Sequence, residues 1–548
     1  MISNMKLKYF YTAVIALASL TACEDLDTKP GGATLTEEQK SEISDAMPSR
    51  AEAGVRSIFA QFNVYMPNET ALNASRHNDF GYSSIMFFTD CNTEDMVSGD
   101  NGYNWGGNSL TYDDRPYTSR ECQIVWNDYY SIIFTANAVV SANADAANAE
   151  DPDATKLFYL AQGYAARGFC YEELVQLYQF NYKGHESSPC VPLITNENAT
   201  QAALEGAPRA SVSDVYAQVT KDLTAAIELM TKVKEFNPKF TRSDKRYIDL
   251  ATAYGLRARM NLAMQNWADA AADAQAAIDN GGAFDGSTCT PATIADVSKP
   301  TFKDASEKNW MWGIYIAETD DVVQSGIVNW ISHNGTFNYG YGQYSGGHQI
   351  SKKLYNSISA TDIRKGWWSN ADGECNNVSD EWNAYLVSKG FAPYTNCKFA
   401  PYKDVLGNDV NANDIPLMRI EEMYLILAEA QLMSGQDGKG TLEKFIQTYR
   451  DPAYTCKASD VQNEIYRHKR IELWGEGRIW FDVMRLNKGI DRRGGGYEPN
   501  CVLKIAADDP VLLWPVPQKE INGNNALSEA DHVSITVPTA VADEDIDL

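Results

Sequence analysis

Residues 464–486 read EIYRHKRIELWGEGRIWFDVMRL, and this stretch decides the fold of the chain. Basic and acidic residues alternate along it, and Arg478 and Asp482 have the i,i+4 spacing of an ion pair on one helix. A helical period places most of the large apolar residues on neighbouring stripes. The charged residues are Arg467, Arg470, Arg478, Arg485, Glu464, Glu472, Glu476 and Asp482, and the apolar ones are Leu473, Trp474, Trp480, Phe481 and Met484. The pattern predicts a packed helix with a buried ion network rather than a catalytic centre.

Two glycines, Gly475 and Gly477, interrupt this helical pattern. Each costs about 1 kcal/mol relative to alanine inside a helix, so their presence requires a reason. Two glycines within three residues favour either a close approach by the backbone of another segment or a break between two helices.

Four stretches, in order along the chain, resemble signatures of one protein family. Residues 467–485 match the pattern R-x-x-R-x-E-L-W-G-E-G-R-x-W-F-D-x-x-R, which resembles the C-terminal signature of the SusD/RagB family. The family places the arginine that corresponds to Arg478 one residue later, at the position of Ile479 in this chain. The ion-pair partners of Arg478 are therefore left open. The other stretches that resemble the family are residues 85–98 (IMFFTDCNTEDMVS), 415–429 (IPLMRIEEMYLILAE) and 512–521 (LLWPVPQKEI).

This resemblance implies a fold and a function. The implied fold is mainly α and SusD-like, with tetratricopeptide-type helix pairs in a right-handed scaffold, a loop-rich ligand-binding region and a few short strands. The implied function is that of a surface lipoprotein of the Bacteroidetes, which captures a nutrient for a TonB-dependent (SusC-like) outer-membrane transporter.

The N-terminus has the layout of a secretory signal. Lys6 and Lys8 precede an apolar run over residues 9–20, which is shorter than the roughly 20 residues that a bilayer-spanning helix needs. The run ends in Leu-Thr-Ala-Cys, which resembles the bacterial lipobox. We therefore predict that residues 1–22 are a lipoprotein signal peptide and that Cys23 is lipidated. The alternative is an ordinary secretion signal with an incidental cysteine.

Glu24 and Asp25 follow Cys23 directly and resemble the acidic tag associated with surface export in Bacteroidetes lipoproteins. We expect a protein of the outer membrane that is held by its lipid anchor alone and faces the cell exterior. The chain carries a net charge of −26 at pH 7, so its general field does not favour nucleic acid or anionic lipid as partners.

Helical periodicity dominates the chain, and the resemblance favours one SusD-like domain over residues 23–548, with its scaffold over about 36–280 and 415–490. Small residues over 247–280 recur at spacings like those of a roughly 34-residue tetratricopeptide repeat, which predicts two closely packed antiparallel helices. The predicted helices are Trp126–Asn143, Lys156–Phe180, Val212–Val233, Tyr247–Met264, Ala268–Asn280, Met418–Ser434, Leu442–Arg450 and Val461–Leu486.

Two regions, about 70–118 and 281–415, have a loop-rich composition, although Trp312, Ile314 and Ile316 alternate as in a strand. Residues 100–117 and 329–348 place aromatic rings among Gly, Asn and Ser. Rings that stack on sugars, beside amides and guanidinium groups that bind hydroxyls, suit oligosaccharide recognition. The candidate binding residues are Tyr103, Trp105, Asn104, Asn108, Arg115, Trp330, Tyr339, Tyr341 and Tyr344. The alternative is that these rings pack the loops against the scaffold.

Nine cysteines follow Cys23, and their wide spacing matches neither a zinc site nor a disulfide scaffold. An exported protein could hold a disulfide, but the spacing does not identify the pair. We find no sequence motif for hydrolysis, phosphate binding or metal ligation, and we expect no cofactor and no catalytic residue.

The function expected from these features is capture of an oligosaccharide for a transporter, without catalysis. Three alternatives remain: peptide capture on the same fold, as in RagB-like uptake; a surface glycoside hydrolase; and a structural partner of the transporter that binds no ligand.

Overall fold

The computed structural model describes residues 48–67, 69–72, 77–99, 106–150, 152–326, 329–344, 346–546 and 548. Two compact units divide the chain, residues 1–52 and residues 53–548, and all elements after the first helix belong to the second unit. The predicted signal peptide and Cys23 lie outside the described residues. The predicted domain boundaries therefore stay a prediction.

Helices make up most of the described chain, which confirms the predicted mainly α fold. In chain order they are α1 (Pro48–Ala60), α2 (Glu69–Leu72), α3 (Tyr82–Asn92), α4 (Gly107–Thr111), α5 (Arg120–Asn143), α6 (Ala154–Tyr178), α7 (Ala199–Glu205), α8 (Val212–Phe236), α9 (Leu250–Ala263), α10 (Trp267–Asp279), α11 (Ile294–Val297), α12 (Asp321–Gln324), α13 (Trp330–Asn334), α14 (Tyr341–Tyr344), α15 (Lys352–Ser357), α16 (Asp380–Lys389), α17 (Ile420–Met433), α18 (Gly438–Tyr449), α19 (Val461–Glu472), α20 (Ile479–Arg485) and α21 (Gln518–Gly523).

Four antiparallel two-stranded sheets lie between the helices in the described part of the chain. They pair β1 (Met96–Ser98) with β5 (His348–Ile350), β2 (Pro189–Pro192) with β3 (Arg209–Ser211), β4 (Trp310–Ile314) with β6 (Ile415–Arg419), and β7 (Ile490–Asp491) with β8 (Lys504–Ile505). The strand predicted around Trp312 is confirmed as β4, and all five of its residues are buried. No helix in the described ranges is long and apolar enough to cross a membrane.

The long helices pack on one another in succession, α5 on α6, α6 on α8, α8 on α9, α9 on α10, and α10 on α17. Close packing depends on small residues: a Cβ added at Gly163 of α6 would lie 2.8 Å from Val140 of α5, and one at Gly168 would lie 2.9 Å from Leu223 of α8. Side-chain caps fix the helix starts, because Ser119, Asp153 and Asp249 accept hydrogen bonds from the first free N–H groups of α5, α6 and α9.

The predicted helices from Trp126 to Arg450 are confirmed within a few residues, including the antiparallel pair α9 and α10. The single helix predicted over Val461–Leu486 is wrong, because it breaks into α19 and α20. Gly475 and Gly477 lie in the break with φ of 76° and 69°, and a Cβ added at Gly477 would lie 2.6 Å from the Cα of Met86. Both reasons proposed for the glycines hold here. The prediction that residues 70–118 form loops is wrong for α3, which is a helix whose side chains are all buried.

A buried ion network surrounds α19 and α20, as predicted. Glu472 Oε1 accepts from Arg419 Nη1 at 3.0 Å and from Arg450 Nη2 at 2.8 Å, and its Oε2 accepts from Arg364 Nη1 at 3.3 Å. Glu476 Oε2 accepts from Arg419 Nε at 2.9 Å. These side chains are nearly or fully buried, so each charge depends on its partners.

The ion pair predicted between Arg478 and Asp482 is wrong. Arg478 precedes α20 and binds Glu173 of α6 instead. Asp482 pairs with Lys469 at 3.0 Å and with Arg485 at 2.5 Å. The helix break turns Arg478 away from Asp482; Arg478 finds its partner on α6, while Asp482 pairs with Lys469 of α19 and, within α20, with Arg485.

We predict that Glu472→Gln lowers the free energy of unfolding by about 3–5 kcal/mol at pH 7, because three buried arginines lose a shared counter-charge. Burial alone would raise the pKa of Glu472, but Arg450, Arg419 and Arg364 hold it well below its usual value of 4.5. The stabilisation is therefore complete above about pH 4.5 and is lost as the pH falls through the folded-state pKa. Urea unfolding of wild type and variant should show a difference that shrinks below about pH 4.5.

Glu228→Gln is the matched control for this variant, since Glu228 is exposed on α8 and has no described side-chain partner. It should change stability by less than about 0.5 kcal/mol. Equal effects of the two substitutions would contradict a special role for Glu472.

We predict that Gly477→Ala destabilises the fold more than Gly184→Ala does. Both glycines have positive φ, +69° and +95°, but a methyl group meets Met86 at position 477 and open space at position 184. The control should lose about 1–2 kcal/mol from backbone strain alone. Chemical denaturation of both variants measures the free energy of unfolding that each one loses. An equal loss in the two variants would contradict a destabilising contact between residue 477 and Met86.

Candidate ligand-binding face

The β1–β5 pair brings the two predicted loop stretches to one place. Ser98, the last residue of β1, pairs with His348, the first residue of β5. Ser98 and His348, 250 residues apart in the sequence, therefore lie side by side at one end of this sheet.

Buried aromatic and histidine rings form the base of this region. The His333 ring lies 5.1 Å from Phe80 and 4.9 Å from Phe87, and the His348 ring stacks on Phe87 at 5.4 Å. Burial lowers the pKa of His333 to about 4 and that of His348 to about 3. Both imidazoles are neutral at pH 7, so the base of the site carries no charge from them.

Polar and aromatic side chains lie above this base, on what we call the loop face: Tyr339, Gln343, Tyr385 and Asn408. Tyr339 is 38% exposed, and its backbone N–H donates to the carbonyl of Asn408 at 2.9 Å. Gln343 donates through Nε2 to the Tyr385 hydroxyl at 2.8 Å, which joins the segment before β5 to α16. Hydrogen bonds thus fix the backbone that carries the exposed Tyr339 ring.

A cavity of about 330 Å³ opens between α1, β4 and the segment after β4. Its floor is apolar and rigid, because Trp312 is fully buried, contacts Phe62 edge-on at 5.6 Å and donates through Nε1 to the carbonyl of Arg246 at 2.9 Å. The floor residues are Phe59, Phe62, Trp312 and Leu417, and the rim residues include Arg56, Asn63, Tyr65, Arg246, Tyr315, Asp320 and Asp321.

The rim combines rings with hydrogen-bonding groups. Asn63 Nδ2 donates to Asp320 Oδ2 at 3.1 Å, and the Arg246 guanidinium lies 5.1 Å from the centre of the Tyr315 ring. Burial raises the pKa of Tyr65 and Tyr315, so both phenols stay protonated at neutral pH. Aromatic faces, neutral hydroxyls, an amide, carboxylates and guanidinium groups therefore line one small cavity.

The cavity rim and the loop face are connected through one turn. Glu318, two residues before Asp320, accepts from the Tyr402 hydroxyl at 2.8 Å and from Lys403 Nζ at 2.7 Å. Asn408 Nδ2 donates to the Tyr402 carbonyl at 3.3 Å, while the Asn408 carbonyl accepts from Tyr339. We refer to the loop face and the cavity together as the candidate ligand-binding face.

Two of the predicted binding residues are placed where a ligand cannot reach them. Arg115 is fully buried, donates to Asp114 Oδ1 at 2.8 Å and lies 3.9 Å above the Trp514 ring. Trp330 is fully buried and packs edge-on against Phe399 at 4.9 Å. The expectation that these side chains are exposed on loops is wrong, because each fills the protein core.

The other predicted residues divide into two groups. Tyr339 and Asn108 are exposed, and Asn108 Nδ2 donates to Glu121 Oε1 at 3.2 Å. Tyr103, Asn104 and Trp105 lie outside the described residues, as do the side chains of Tyr341 and Tyr344 in α14. Ligand contact by any of these residues stays a prediction.

Sequence reasoning missed the cavity residues. The alternation of Trp312, Ile314 and Ile316 predicted a strand, but Trp312, Ile314 and Tyr315 all line the cavity, so the alternation did not single out Tyr315. Asn63 and Tyr65 follow a helix, in a stretch with no regular period, and carried no signal. Within the described residues, no group of three or more His, Cys, Asp or Glu side chains has the arrangement of a metal site.

Comparisons with known proteins agree with this architecture. A family model described as SusD family matches residues 328–531, and one described as starch-binding associating with outer membrane matches residues 41–262. SusD-like protein P2 from Formosa agariphila is 23% identical over 95% of this chain and 98% of its own.

Solved structures share the fold. A SusD-like carbohydrate binding protein from Bacteroides vulgatus is 21% identical, with a TM-score of 0.70 over 89% of this chain and 98% of its own. Surface glycan-binding protein A from Bacteroides thetaiotaomicron, solved in complex with laminarihexaose, is 17% identical, with a TM-score of 0.59 over 88% of this chain and 99% of its own. With its two family-model matches and its full-length relative, this chain belongs to the SusD/RagB family.

Proposed function

We propose that this protein captures an oligosaccharide at the cell surface and delivers it to a partner TonB-dependent (SusC-like) outer-membrane transporter. The observation that carries the proposal is the candidate ligand-binding face, which combines an exposed Tyr339 ring with a cavity lined by rings and hydrogen-bonding groups. The two are linked by hydrogen bonds through Asn408, Tyr402 and Glu318. The cavity volume of about 330 Å³ falls within the range of about 300–1,000 Å³ typical of small-molecule pockets.

The chemistry of the face suits a neutral sugar. A pyranose presents an apolar C–H face to Tyr315, Tyr65 or Tyr339, while its hydroxyls bind Asn63, Asp321 and the Arg246 guanidinium. Arg246 uses Nε on Asp244 at 2.9 Å, and its Nη groups have no partner among the described residues. Arginines and carboxylates are both present on the rim, so its charges offset one another and do not select an ionic ligand.

Two relatives support a glycan as the ligand, since one is described as a carbohydrate binding protein and another was solved with laminarihexaose. The proposed mechanism contains no bond-breaking step. Stacking and hydrogen bonds select the sugar, and the transporter moves it. Lipidation at Cys23 would keep the protein beside that transporter without a membrane-spanning segment.

We predict that Tyr339→Ala and Tyr315→Ala each weaken glycan binding about tenfold or more, which corresponds to about 1.4 kcal/mol. Each substitution removes the ring face of a residue outside the fully buried core, although Tyr315 also packs against that core. Affinity electrophoresis of the mature chain through gels that contain single polysaccharides measures the effect, with Trp105→Ala run alongside. Sugar-release assays on the same mixtures should show no hydrolysis.

Four further variants control this experiment. Tyr117→Ala removes a ring of matched exposure, 36% against 38% for Tyr339, that stacks on His532 and belongs to neither the loop face nor the cavity lining, and it should leave binding unchanged. Ala60→Trp should fill the cavity and weaken binding, whereas Ala203→Trp, on α7, should not. Trp330→Ala should lower stability by about 3–5 kcal/mol and is not a binding probe.

The outcomes separate the alternatives. Retardation by a glycan that both tyrosine variants weaken supports the proposal. Calorimetric binding of peptides, without binding of glycans, would indicate RagB-like peptide capture. Sugar release that is abolished by substitution of a rim carboxylate would indicate a glycoside hydrolase. A lack of binding to every glycan and peptide would contradict a binding function.

We predict that Cys23→Ala abolishes lipid attachment and releases the protein from the outer membrane. The Cys23 sulfur carries the lipid in the proposed mature protein, so the variant lacks the proposed anchor. Growth with an alkyne-labelled fatty acid, followed by outer-membrane fractionation, compares the variant with wild type. Equal labelling and membrane retention in both would contradict the lipoprotein assignment.

A further inference from the structure

Two of the buried cysteines, Cys375 and Cys397, lie together beneath the loop face. They share one small hydrophobic cluster with Phe337 and Leu386, and the two thiols lie close enough for each to shift the pKa of the other. Cys375 and Cys397 are 2% and 1% exposed. The described structure records all nine cysteines from Cys91 to Cys501 as thiols.

Hydrogen bonds of the Cys375 thiol and of the backbone hold this pair in place. Cys375 Sγ donates to the carbonyl of Gly366 at 3.0 Å, and the N–H of Cys397 donates to the carbonyl of the next residue, Trp367, at 2.7 Å. Asn383 adds two hydrogen bonds to the backbone of Cys375, at 2.8 and 3.1 Å. Both cysteines are thus anchored to one dipeptide, which fixes their separation.

Other cysteine thiols in the described structure contact groups other than a second thiol. Those of Cys122, Cys190 and Cys289 donate to the backbone carbonyls of Asp114, Val175 and Trp310. The Cys91 thiol is directed to Met96 Sδ at 4.0 Å.

We propose that Cys375 and Cys397 form a disulfide in the exported protein. The proposal rests on the proposed export, because disulfides form and persist outside the reducing cytoplasm. It identifies the pair that cysteine spacing in the sequence does not.

The bond forms by exchange with the disulfide of a periplasmic thiol oxidase. The Cys375 thiolate attacks one sulfur of that disulfide, and the other oxidant sulfur leaves as a thiol. Cys397 then attacks Cys375 Sγ in the mixed disulfide and expels the second oxidant thiol. The protein loses two protons and two electrons, and the oxidant's disulfide becomes two thiols.

Since both thiols are buried in the folded chain, the exchange occurs before residues 366–397 have closed over them.

The disulfide would stiffen one wall of the candidate ligand-binding face. The loop that it closes contains α16, whose Tyr385 hydroxyl accepts from Gln343, and Phe391, which lies 2.8 Å from a Cβ added at Gly347. A cross-link between residues 375 and 397 reduces the number of unfolded conformations that this loop can adopt. It therefore keeps Tyr385 beside the segment before β5.

Differential alkylation of the full-length chain tests the proposal. The chain is exported in a Gram-negative host with its own signal, extracted under denaturing conditions with a first alkylating label, then reduced and exposed to a second. We expect the second label on Cys375 and Cys397 alone, and an unreduced proteolytic peptide pair joined through them. The first label on both residues, or the second label on another pair such as Cys91 and Cys501, would overturn the proposal.

Thermal unfolding gives a second readout. Reduction should lower the melting temperature of wild type by a few degrees and leave Cys375→Ser and Cys397→Ser unchanged. Cys190→Ser, which removes a buried thiol elsewhere, should keep the response to reduction. Membrane fractionation of the same cells shows whether the protein was exported, and glycan binding shows whether the proposed function holds. These two readouts distinguish a failure of export or of the proposed function from a failure of the disulfide proposal.

Discussion

The carboxylate of Glu472 is the point on which much of the structure depends. It is fully buried at the end of α19 and receives hydrogen bonds from Arg364, Arg419 and Arg450, which come from three separate segments. An ion transferred from water to the protein interior loses several kcal/mol of solvation, so such a group is tolerated only where its partners are complete. The network therefore holds the segments that carry these three arginines in fixed positions around the end of α19.

This network also positions the candidate ligand-binding face. Arg419 is the last residue of β6, which pairs with β4, and Trp312 of β4 forms the floor of the cavity. Lys398 donates to the carbonyl of Glu472 at 3.0 Å, and the next residue, Phe399, packs against Trp330. The charged centre thus supports two walls of the face without contributing a group to its surface, which explains how ion-rich helices can serve a largely neutral binding site.

The face itself avoids strong charge. Burial keeps His333 and His348 neutral, and the phenols of Tyr65 and Tyr315 stay protonated. Selection in such a site depends on ring stacking and on the placement of donors and acceptors. This arrangement fits a chain whose net charge of −26 gives no general attraction for anionic partners.

The sequence by itself determined the helices, the strand at Trp312, the presence of an ion network around residues 464–486 and the family resemblance. These features are encoded locally, by hydrophobic period and by motifs that span a few helical turns. Tertiary structure alone decided the rest. Whether a ring is exposed depends on segments that pack over it, so Trp330 and Arg115 are buried while Tyr315 and Tyr339 reach the surface. Likewise, Arg478 pairs with Glu173 rather than Asp482, because the break at Gly475 and Gly477 turns it toward α6. Long-range contacts of this kind leave no periodic trace in a single sequence.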